Sequence, residues 1–512
     1  MQVSQKKAGV VISYATEVVK ILSSLLYTPI MLRLLGSSEH GIYTLVHSVV
    51  SYLGLLSLGF ASAYMRFYSR SKVKGDQDEI ARLNGMFLTI FGIIALVCLS
   101  VGSVMVLNVH NIFRTGLTPE ETSKARVLMA LMVFNLAMTF PNVVFNNNVT
   151  AHEQFIFQKT LHFLQALLNP FICLPLLLLG FGSVGMVLVS TFLTIGVLVS
   201  NIIFCFKKLH VRFLFRGFRW SLFKEMFTFT FFIFLNQIID QINWGVDKFL
   251  LGRMVSSTAV SIYGTGSMLN SLYTQLSKSV SNVFVPQINR IVAEKDDNRE
   301  LTRIFTKVGR VQFLILMLVL TGIIFFGQSF IKIWALPGYD NAYYVALLLI
   351  VPVTVPLIQN IGIEIQRAKN MHKARSIVYF FMAIANIFIS IPLVRAMGEV
   401  GAAMGTTISL VLANIFFMNW YYHRKIGLDI GFFWKNILMM CRGLIIPAVA
   451  GVLILKFVNT NGLLRLVLFA AVYSVIYIVS MWLLGTNQDE HEQVLGILRR
   501  ISRKITGRKA RS

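Results

Sequence analysis

Charge is what this sequence has least of. Only 13% of its 512 residues are Asp, Glu, Lys or Arg, while 56% are hydrophobic. A soluble globular chain carries about 25% charge, so the supply for a water-facing surface is roughly half the usual one. Cysteine is scarce as well. Cys98, Cys173, Cys205 and Cys441 fall inside or beside apolar blocks, without the spacing of metal ligands or of a disulfide framework. No glycine-rich nucleotide loop is present, so ATP hydrolysis within the chain is not expected. His152-Glu153 lacks the second histidine of a zinc-protease helix. Asp76-Gln77-Asp78 is formally an acidic pair, but it lies in a short charged loop and reads as solvated surface. No catalytic residue, metal or cofactor is expected.

What the chain has in their place is apolar blocks. Tyr343 to Ile358, Ile437 to Leu455 and Leu466 to Leu484 approach the length of about 20 residues that crosses a hydrocarbon core. A large soluble protein buries a few such blocks, but not a chain made of little else. Lys6 and Lys7 precede the first apolar run as in a signal peptide. That run continues past Tyr27, carries Glu17 and Lys20, and has no small-residue cleavage site, so it reads as an uncleaved helix. Fourteen spans are predicted at 9–33, 41–64, 83–108, 125–150, 161–180, 183–206, 225–252, 258–285, 309–334, 341–366, 376–396, 400–422, 437–457 and 463–485. Pro29, Pro141, Pro170, Pro175, Pro352 and Pro356 fall inside them. Each removes a backbone hydrogen bond and favours a kink.

The net charge of +25 would suggest nucleic acid in a soluble protein, but here the basic residues sit between apolar blocks. Arg66, Arg70, Lys72, Lys74 and Arg82 form one group; Lys207 to Lys224, Arg290 to Arg310, Arg367 to Arg375 and the tail from Arg499 to Arg511 form the others. The alternate connections, such as Gly36–His40, Leu336–Asn341, Met397–Glu399 and Val458–Gly462, hold few Lys or Arg. Arg114, Lys124 and Arg253 are the main exceptions. The positive-inside rule then puts the basic set and both termini in the cytoplasm. The external connections are short; even the longest, around His110–Lys124, cannot fold as a domain.

An internal repeat orders these spans. Leu34-Leu35-Gly36 recurs as Leu250-Leu251-Gly252, and Ile42-Tyr43 as Ile262-Tyr263. Gly182-Ser183-Val184-Gly185 recurs as Gly398-Glu399-Val400-Gly401, followed by Ser190-Thr191 and Thr406-Thr407. Asn169 and Pro175 are matched by Asn386 and Pro392. Six helices per unit is an even number, so both copies share one orientation in the bilayer, with a pseudo-two-fold axis along its normal. The expected fold is an all-α integral membrane protein of about 14 transmembrane helices, built as two parallel six-helix lobes plus two C-terminal helices. Its divisions are 1–206 for the first lobe, 207–224 for a basic amphipathic connector, 225–422 for the second lobe, 423–485 for the extra pair and 486–512 for a basic cytoplasmic tail. The connector interleaves Arg212, Arg216 and Arg219 with Phe213, Phe215, Phe218 and Trp220. Such a pattern can stack single-stranded nucleic acid, but beside a bilayer it reads as an interfacial segment with snorkelling arginines.

Thr28-Pro29-Ile30-Met31-Leu32-Arg33-Leu34-Leu35-Gly36, then Glu39-His40-Gly41-Ile42-Tyr43, resembles the first helix and turn of bacterial polysaccharide-biosynthesis flippases. Asp247-Lys248-Phe249-Leu250-Leu251-Gly252 and Gly398-x-Val400-Gly401-Ala402-Ala403 resemble their seventh- and twelfth-helix signatures. These proteins belong to the multidrug/oligosaccharidyl-lipid/polysaccharide exporter superfamily. The resemblance implies a two-lobed, multi-pass transporter of the bacterial cytoplasmic (inner) membrane. It would move an undecaprenyl-pyrophosphate-linked oligosaccharide from the cytoplasmic to the outer leaflet by alternating access. Partners would then be that lipid, the membrane lipids and the polysaccharide polymerase machinery, with no nucleic acid.

A charge in the hydrocarbon costs about 2.5–3.5 kcal/mol on insertion scales, so charges inside spans face a cavity or a partner. Ser13, Glu17, Lys20 and Ser24 share one face of the first helix; Asn236, Asp240, Asn243 and Asp247 share one face of the seventh. Gly264, Ser267, Ser271, Thr274, Lys278 and Ser281 do the same in the eighth. Three such stripes suit a polar cleft. For an anionic pyrophosphate, Lys20 and Lys278 are the candidate cations, with Arg66 and Asn236 as further substrate contacts. Glu17, Asp240 and Asp247 are candidates for coupling to H⁺ or Na⁺. The plainer reading is that Glu17 and Lys20 neutralise each other in a helix interface. Two other functions compete: an H⁺- or Na⁺-coupled multidrug exporter of the same superfamily, which would favour an acidic and aromatic cavity, and a membrane-embedded lipid-glycan transferase, which needs no parallel repeat.

Overall fold

The computed structural model describes residues 2–113, 116–216, 220–281, 284–294, 297–369, 371, 373–458, 462–488 and 490–492. These residues are helical almost throughout, with no strand among them. The basic tail from Arg499 to Arg511 lies outside the described residues. Ten helical stretches are long and apolar enough to cross a membrane among the described residues. Two of them, Ala8–Val73 and Lys373–Ile426, each contain two of the predicted spans. With the seventh and eighth spans on separate helices, the fold is consistent with fourteen crossings.

α1 (Gln2–Ser51) runs through Gly36, whose backbone is non-helical at φ 75°, ψ 172°. The turn expected at Gly36–His40 is therefore a kink at a glycine, a residue that accepts positive φ without a Cβ penalty. The second predicted span is broken. A 3₁₀ stretch at Tyr52–Ser57 leads to Leu58 and Gly59, both left-handed, and α2 (Phe60–Lys74) starts afresh. α3 (Gln77–Leu107) is capped by Asp76, which accepts from Glu79 N at 2.8 Å. After the short α4 (Val109–Ile112), α5 (Pro119–Ala151) opens on a Thr118/Glu121 capping box. α6 (Phe155–Leu178) and α7 (Gly182–Lys207) complete the first predicted lobe. The chain beyond it forms α8 (Trp220–Met254), α9 (Ser257–Ser281), α10 (Val285–Glu294), α11 (Asn298–Trp334), α12 (Asp340–Ile358) and α13 (Ile361–Ala368). α14 (Lys373–Leu410) passes through Gly398 and continues by π-helical turns around α15 (Met418–Tyr421). α16 (Ile430–Met440), α17 (Ile445–Phe457) and α18 (Leu463–Ser480) form the appended pair.

The chain divides into two compact units. The first comprises Met1–Gly266 and Ser376–Thr406; the second comprises Ser267–Arg375 and Thr407–Ser512. The first unit thus holds all of the first predicted lobe together with parts of the second. Within it the repeat is visible in backbone and hydrogen bonds alike. Gly182 and Gly398, equivalent positions, both adopt φ 57°. Asn169 Nδ2 donates to Ser190 Oγ at 3.3 Å, and Asn386 Nδ2 donates to Thr406 Oγ1 at 3.3 Å.

The connector is a strap along α3. Leu214 N donates to Ala81 O at 2.9 Å, Asn84 Nδ2 donates to Arg212 O at 3.2 Å, and Val211 is buried. Phe213 packs on Phe145 at 5.6 Å between ring centroids, while Arg212 and Arg216 are exposed. Gly217–Arg219 lie outside the described residues.

In the second unit the appended pair is pinned to α11 by Arg310, which is 6% exposed. Its Nε and Nη2 donate to both carboxylate oxygens of Glu490 at 2.6 and 2.8 Å. Nη1 and Nη2 also reach the carbonyls of Asn436 and Gly485 at 3.1 and 3.2 Å. Tyr477 OH donates to Leu314 O at 2.8 Å, and Tyr473 packs on Phe325. Breaking one partner of a buried pair strands the other charge at a cost of about 3–5 kcal/mol. Glu490→Gln is therefore expected to lower the melting temperature of the purified protein markedly. Arg310→Met combined with Glu490→Leu, which removes both charges, is expected to recover most of that loss.

Candidate functional site

Helical spacing places Lys20, Ser24, Tyr27 and Thr28 on one side of α1, facing His162, Gln165 and Asn169 of α6. Together they line an open cleft of about 500 Å³ in the first unit. Lys20 and Glu17 form an ion pair at 3.4 Å, with side chains 55% and 40% exposed. A pair so exposed is held loosely and is worth little, so Lys20 can exchange it for a stronger anion. A second cavity of about 240 Å³ lies in the same unit, lined by Tyr43, His47, Ser51, Asn135 and Ser190 among others. The Asn169–Ser190 bond lies between the two, and Asn135 Nδ2 donates to Thr191 Oγ1 at 3.0 Å. His47 stacks on Tyr43.

Asp247 lies elsewhere in this unit and is 1% exposed. Tyr263 OH and Thr406 Oγ1 both donate to its Oδ2, at 2.5 and 2.6 Å. Its Oδ1 is buried and accepts no hydrogen bond among the described residues. Asn386 holds Thr406 from behind, and Ser390 Oγ donates to Asn386 Oδ1 at 3.1 Å. A buried carboxylate with one oxygen unused, ringed by hydroxyl and amide oxygens, can take up a proton or a hard cation. The repeat makes this site asymmetric. At the offset of 216 residues, Asp247 corresponds to Met31, which packs in an apolar cluster with Cys173, Leu177 and Met186.

A third group of polar residues joins the segment after the Gly36 kink of α1 to the starts of α5, α7 and α9, on the side predicted to face outward. Lys124 Nζ lies 2.7 Å from Glu39 Oε2, and Ser183 donates to Glu39 Oε1 through N and Oγ at 2.6 and 2.7 Å. Glu121 Oε1 accepts from Ser38 and, at 2.5 Å, from Ser257. His40 Nδ1 lies 2.6 Å from Ser261 Oγ. Gly182 makes this approach possible, since a Cβ there would stand 2.3 Å from Glu39 Oε1.

The other predicted residues are distributed more widely. Arg66 on α2 and Asp240 on α8 are exposed. Asn236 belongs to α8, and its side chain lies outside the described residues. Lys278 is an exposed residue of α9 in the second unit. The stripe read along that helix is not a single cavity wall. Ser281 is buried and accepts from Gln312 Nε2 at 2.5 Å, so packing consumes its hydroxyl. Sequence reasoning missed the polar face of α6. His162, Gln165 and Asn169, at i, i+3 and i+7, were its signal.

The family described as "Polysaccharide biosynthesis protein" matches residues 7–292 of the chain. A relative from Bacillus subtilis (strain 168), the uncharacterized membrane protein EpsK, is 22% identical over 491 residues, covering 93% of this chain and 94% of its own. Among solved structures, the lipid II flippase MurJ in an inward closed conformation superposes with a TM-score of 0.69 at 16% identity. The match covers 91% of this chain and 98% of MurJ. A multidrug resistance MATE family transporter of the MOP superfamily, inward-facing, gives 0.67 at 14% identity, covering 83% and 99%. Those two likenesses establish the fold, that of multi-pass membrane transporters. With more than half of its length matched, the chain belongs to the polysaccharide biosynthesis protein family.

Proposed function

We propose that the protein is a flippase that moves an undecaprenyl-pyrophosphate-linked oligosaccharide from the cytoplasmic to the outer leaflet of the bacterial cytoplasmic membrane. The observation that carries this reading is the cleft between α1 and α6, a polar groove with a lysine inside otherwise apolar helices. Hydrocarbon tolerates such a stripe only where it faces a cavity or a partner. Lys20 supplies the point charge that a pyrophosphate requires, with Arg66 of the same unit as a further headgroup contact; Lys278 and Asn236 remain secondary candidates, not placed at this cleft. A drug-cation exporter would be served poorly by a cleft whose ionisable groups are Lys20 and His162. The polymerase machinery that elongates the glycan is the expected downstream partner.

Alternating access needs a closure that can break and an energy source. The Glu39–Ser183 and Glu121–Ser257 contacts serve as the outer closure, since short hydrogen bonds between helix ends separate without disturbing the helices. Asp247 is the coupling group. Binding H⁺ or Na⁺ neutralises a buried carboxylate and thereby favours the packed arrangement around Tyr263 and Thr406. Glu17 and Asp240 remain secondary candidates for that role.

In proteoliposomes loaded with a fluorescent pyrophosphate-linked lipid oligosaccharide, the protein is expected to move the lipid between leaflets. No movement beyond that of empty vesicles, together with extrusion of a cationic dye, would overturn the reading. Lys20→Ala is expected to slow the initial rate by about 10-fold or more, the loss typical of a charge-assisted contact, whereas Lys20→Arg retains most of it. Asp247→Asn is expected to make the rate indifferent to an imposed H⁺ or Na⁺ gradient while the protein still inserts. A gradient response equal to that of the unmodified protein would remove Asp247 from the mechanism.

A further inference from the structure

The cleft between α1 and α6 is graded along its length. Lys20 and His162 line the same end of it. Ser24 and Gln165 come about one turn further along their helices, and Thr28 and Asn169 a turn beyond that. One end therefore carries charge, and the rest offers only neutral amides and hydroxyls beside Tyr27.

Two side chains of the neutral part lack hydrogen-bond partners among the described residues. Neither Ser24 nor Gln165 makes a side-chain hydrogen bond to any described residue. Several amides elsewhere in the unit are engaged. Asn84 reaches the connector, Asn148 donates to Val144 O and Asn84, Asn201 donates to Asn142, and Gln158 donates to Asn146 and Thr150. A free amide at bilayer depth is costly unless water or a ligand meets it. Polar side chains without hydrogen-bond partners, gathered in one groove, are what a ligand site leaves available.

Resting on the flippase reading, we propose that the neutral part of this groove is a glycan subsite, in which Ser24 and Gln165 bind the hydroxyl and acetamido groups of the sugar next to the pyrophosphate, with Asn169 at its far end. Uncharged donors and acceptors suit neither a phosphate, which calls for the lysine, nor a polyprenyl tail, which calls for an apolar wall. They suit sugar hydroxyls, which both donate and accept. The headgroup then enters sugar first and leaves its pyrophosphate at Lys20. A groove of about 500 Å³ falls within the range of about 300–1,000 Å³ typical of small-molecule sites. It reads the first part of the glycan, and the remainder of a longer chain projects beyond it. Selectivity is accordingly expected for the lipid-proximal sugar, and tolerance for the sugars distal to it.

The test compares two tail-labelled probes, polyprenyl pyrophosphate without sugar and the same lipid bearing one N-acetylhexosamine. Equilibrium binding of each is measured to the full-length protein in nanodiscs. The unmodified protein is expected to prefer the glycosylated probe, and Ser24→Ala with Gln165→Met is expected to cut that preference by about 10-fold. Lys20→Ala is expected to weaken both probes alike and leave the preference intact. Because Gln165 has no side-chain hydrogen bond to a described residue to lose, the near-isosteric Gln165→Met alone is expected to fold and to show part of the effect. Preference unchanged in both Gln165 variants, or both probes weakened equally by them, overturns the subsite while leaving the flippase reading standing. No binding of either probe to the unmodified protein overturns both.

Discussion

A polar group inside hydrocarbon must find a partner, and most of this structure results from how that demand is met. Backbone groups meet it by helix formation, so the described residues hold no strand. Side chains meet it by pairing across helices. Asn169 with Ser190 and Asn386 with Thr406 are two instances, and Arg310 is the extreme one, with a bidentate carboxylate and two carbonyls around a buried guanidinium. Where pairing is complete, the polar residues are structural. Asp247 Oδ1 accepts no hydrogen bond among the described residues, and the polar α1–α6 groove is open, so both hold polar capacity that a solute arriving from outside can use.

The internal repeat shows how one helical plan came to hold two different sites. Both copies keep the asparagine before the positive-φ glycine and the hydroxyl after it, with the same bond length between them. Only the second copy places a carboxylate against that pair. The first copy has Met31 there, closing the position with apolar packing. It develops instead a groove on its α1–α6 face, with Lys20 at one end. Duplication preserved the bracing, and divergence at a few inward positions left a buried carboxylate in one copy and a groove ending at Lys20 in the other.

Much of this was legible from residues alone, because spans and loop charge are set by local composition. The repeat could be read because its glycines are bound to one backbone conformation, as the matching φ of Gly182 and Gly398 shows. Asp247 and Lys20 stood out since charges in apolar blocks are conspicuous. Other features were hidden for identifiable reasons. The break at Tyr52–Ser57 carries no proline, and its only signals are Gly54 and Gly59 in a sequence otherwise compatible with helix. Glu39 and Glu121 fall in predicted connections, and their partners at Ser183 and Ser257 are distant in sequence. Arg310 passed as one more cytoplasmic cation, because its role depends on Glu490 beyond the last span. The α6 face was overlooked for a different reason. Neutral histidine and amides add nothing to a pattern of charges, and hydropathy registers them only weakly.

If the unpaired groups between α1 and α6 face water and then substrate, whereas the paired ones do not, chemical access must distinguish them. The most direct measurement places single cysteines at Ser24 and Gln165 in a background without Cys98, Cys173, Cys205 and Cys441, with a cysteine at the paired Asn201 as the comparison. A membrane-impermeant thiol reagent applied from the cytoplasmic side is predicted to label positions 24 and 165 but not 201, and added pyrophosphate-linked glycolipid is predicted to protect both. Labelling of 24 and 165 only by a lipid-soluble reagent, or labelling unaffected by the glycolipid, would contradict a substrate groove between these helices.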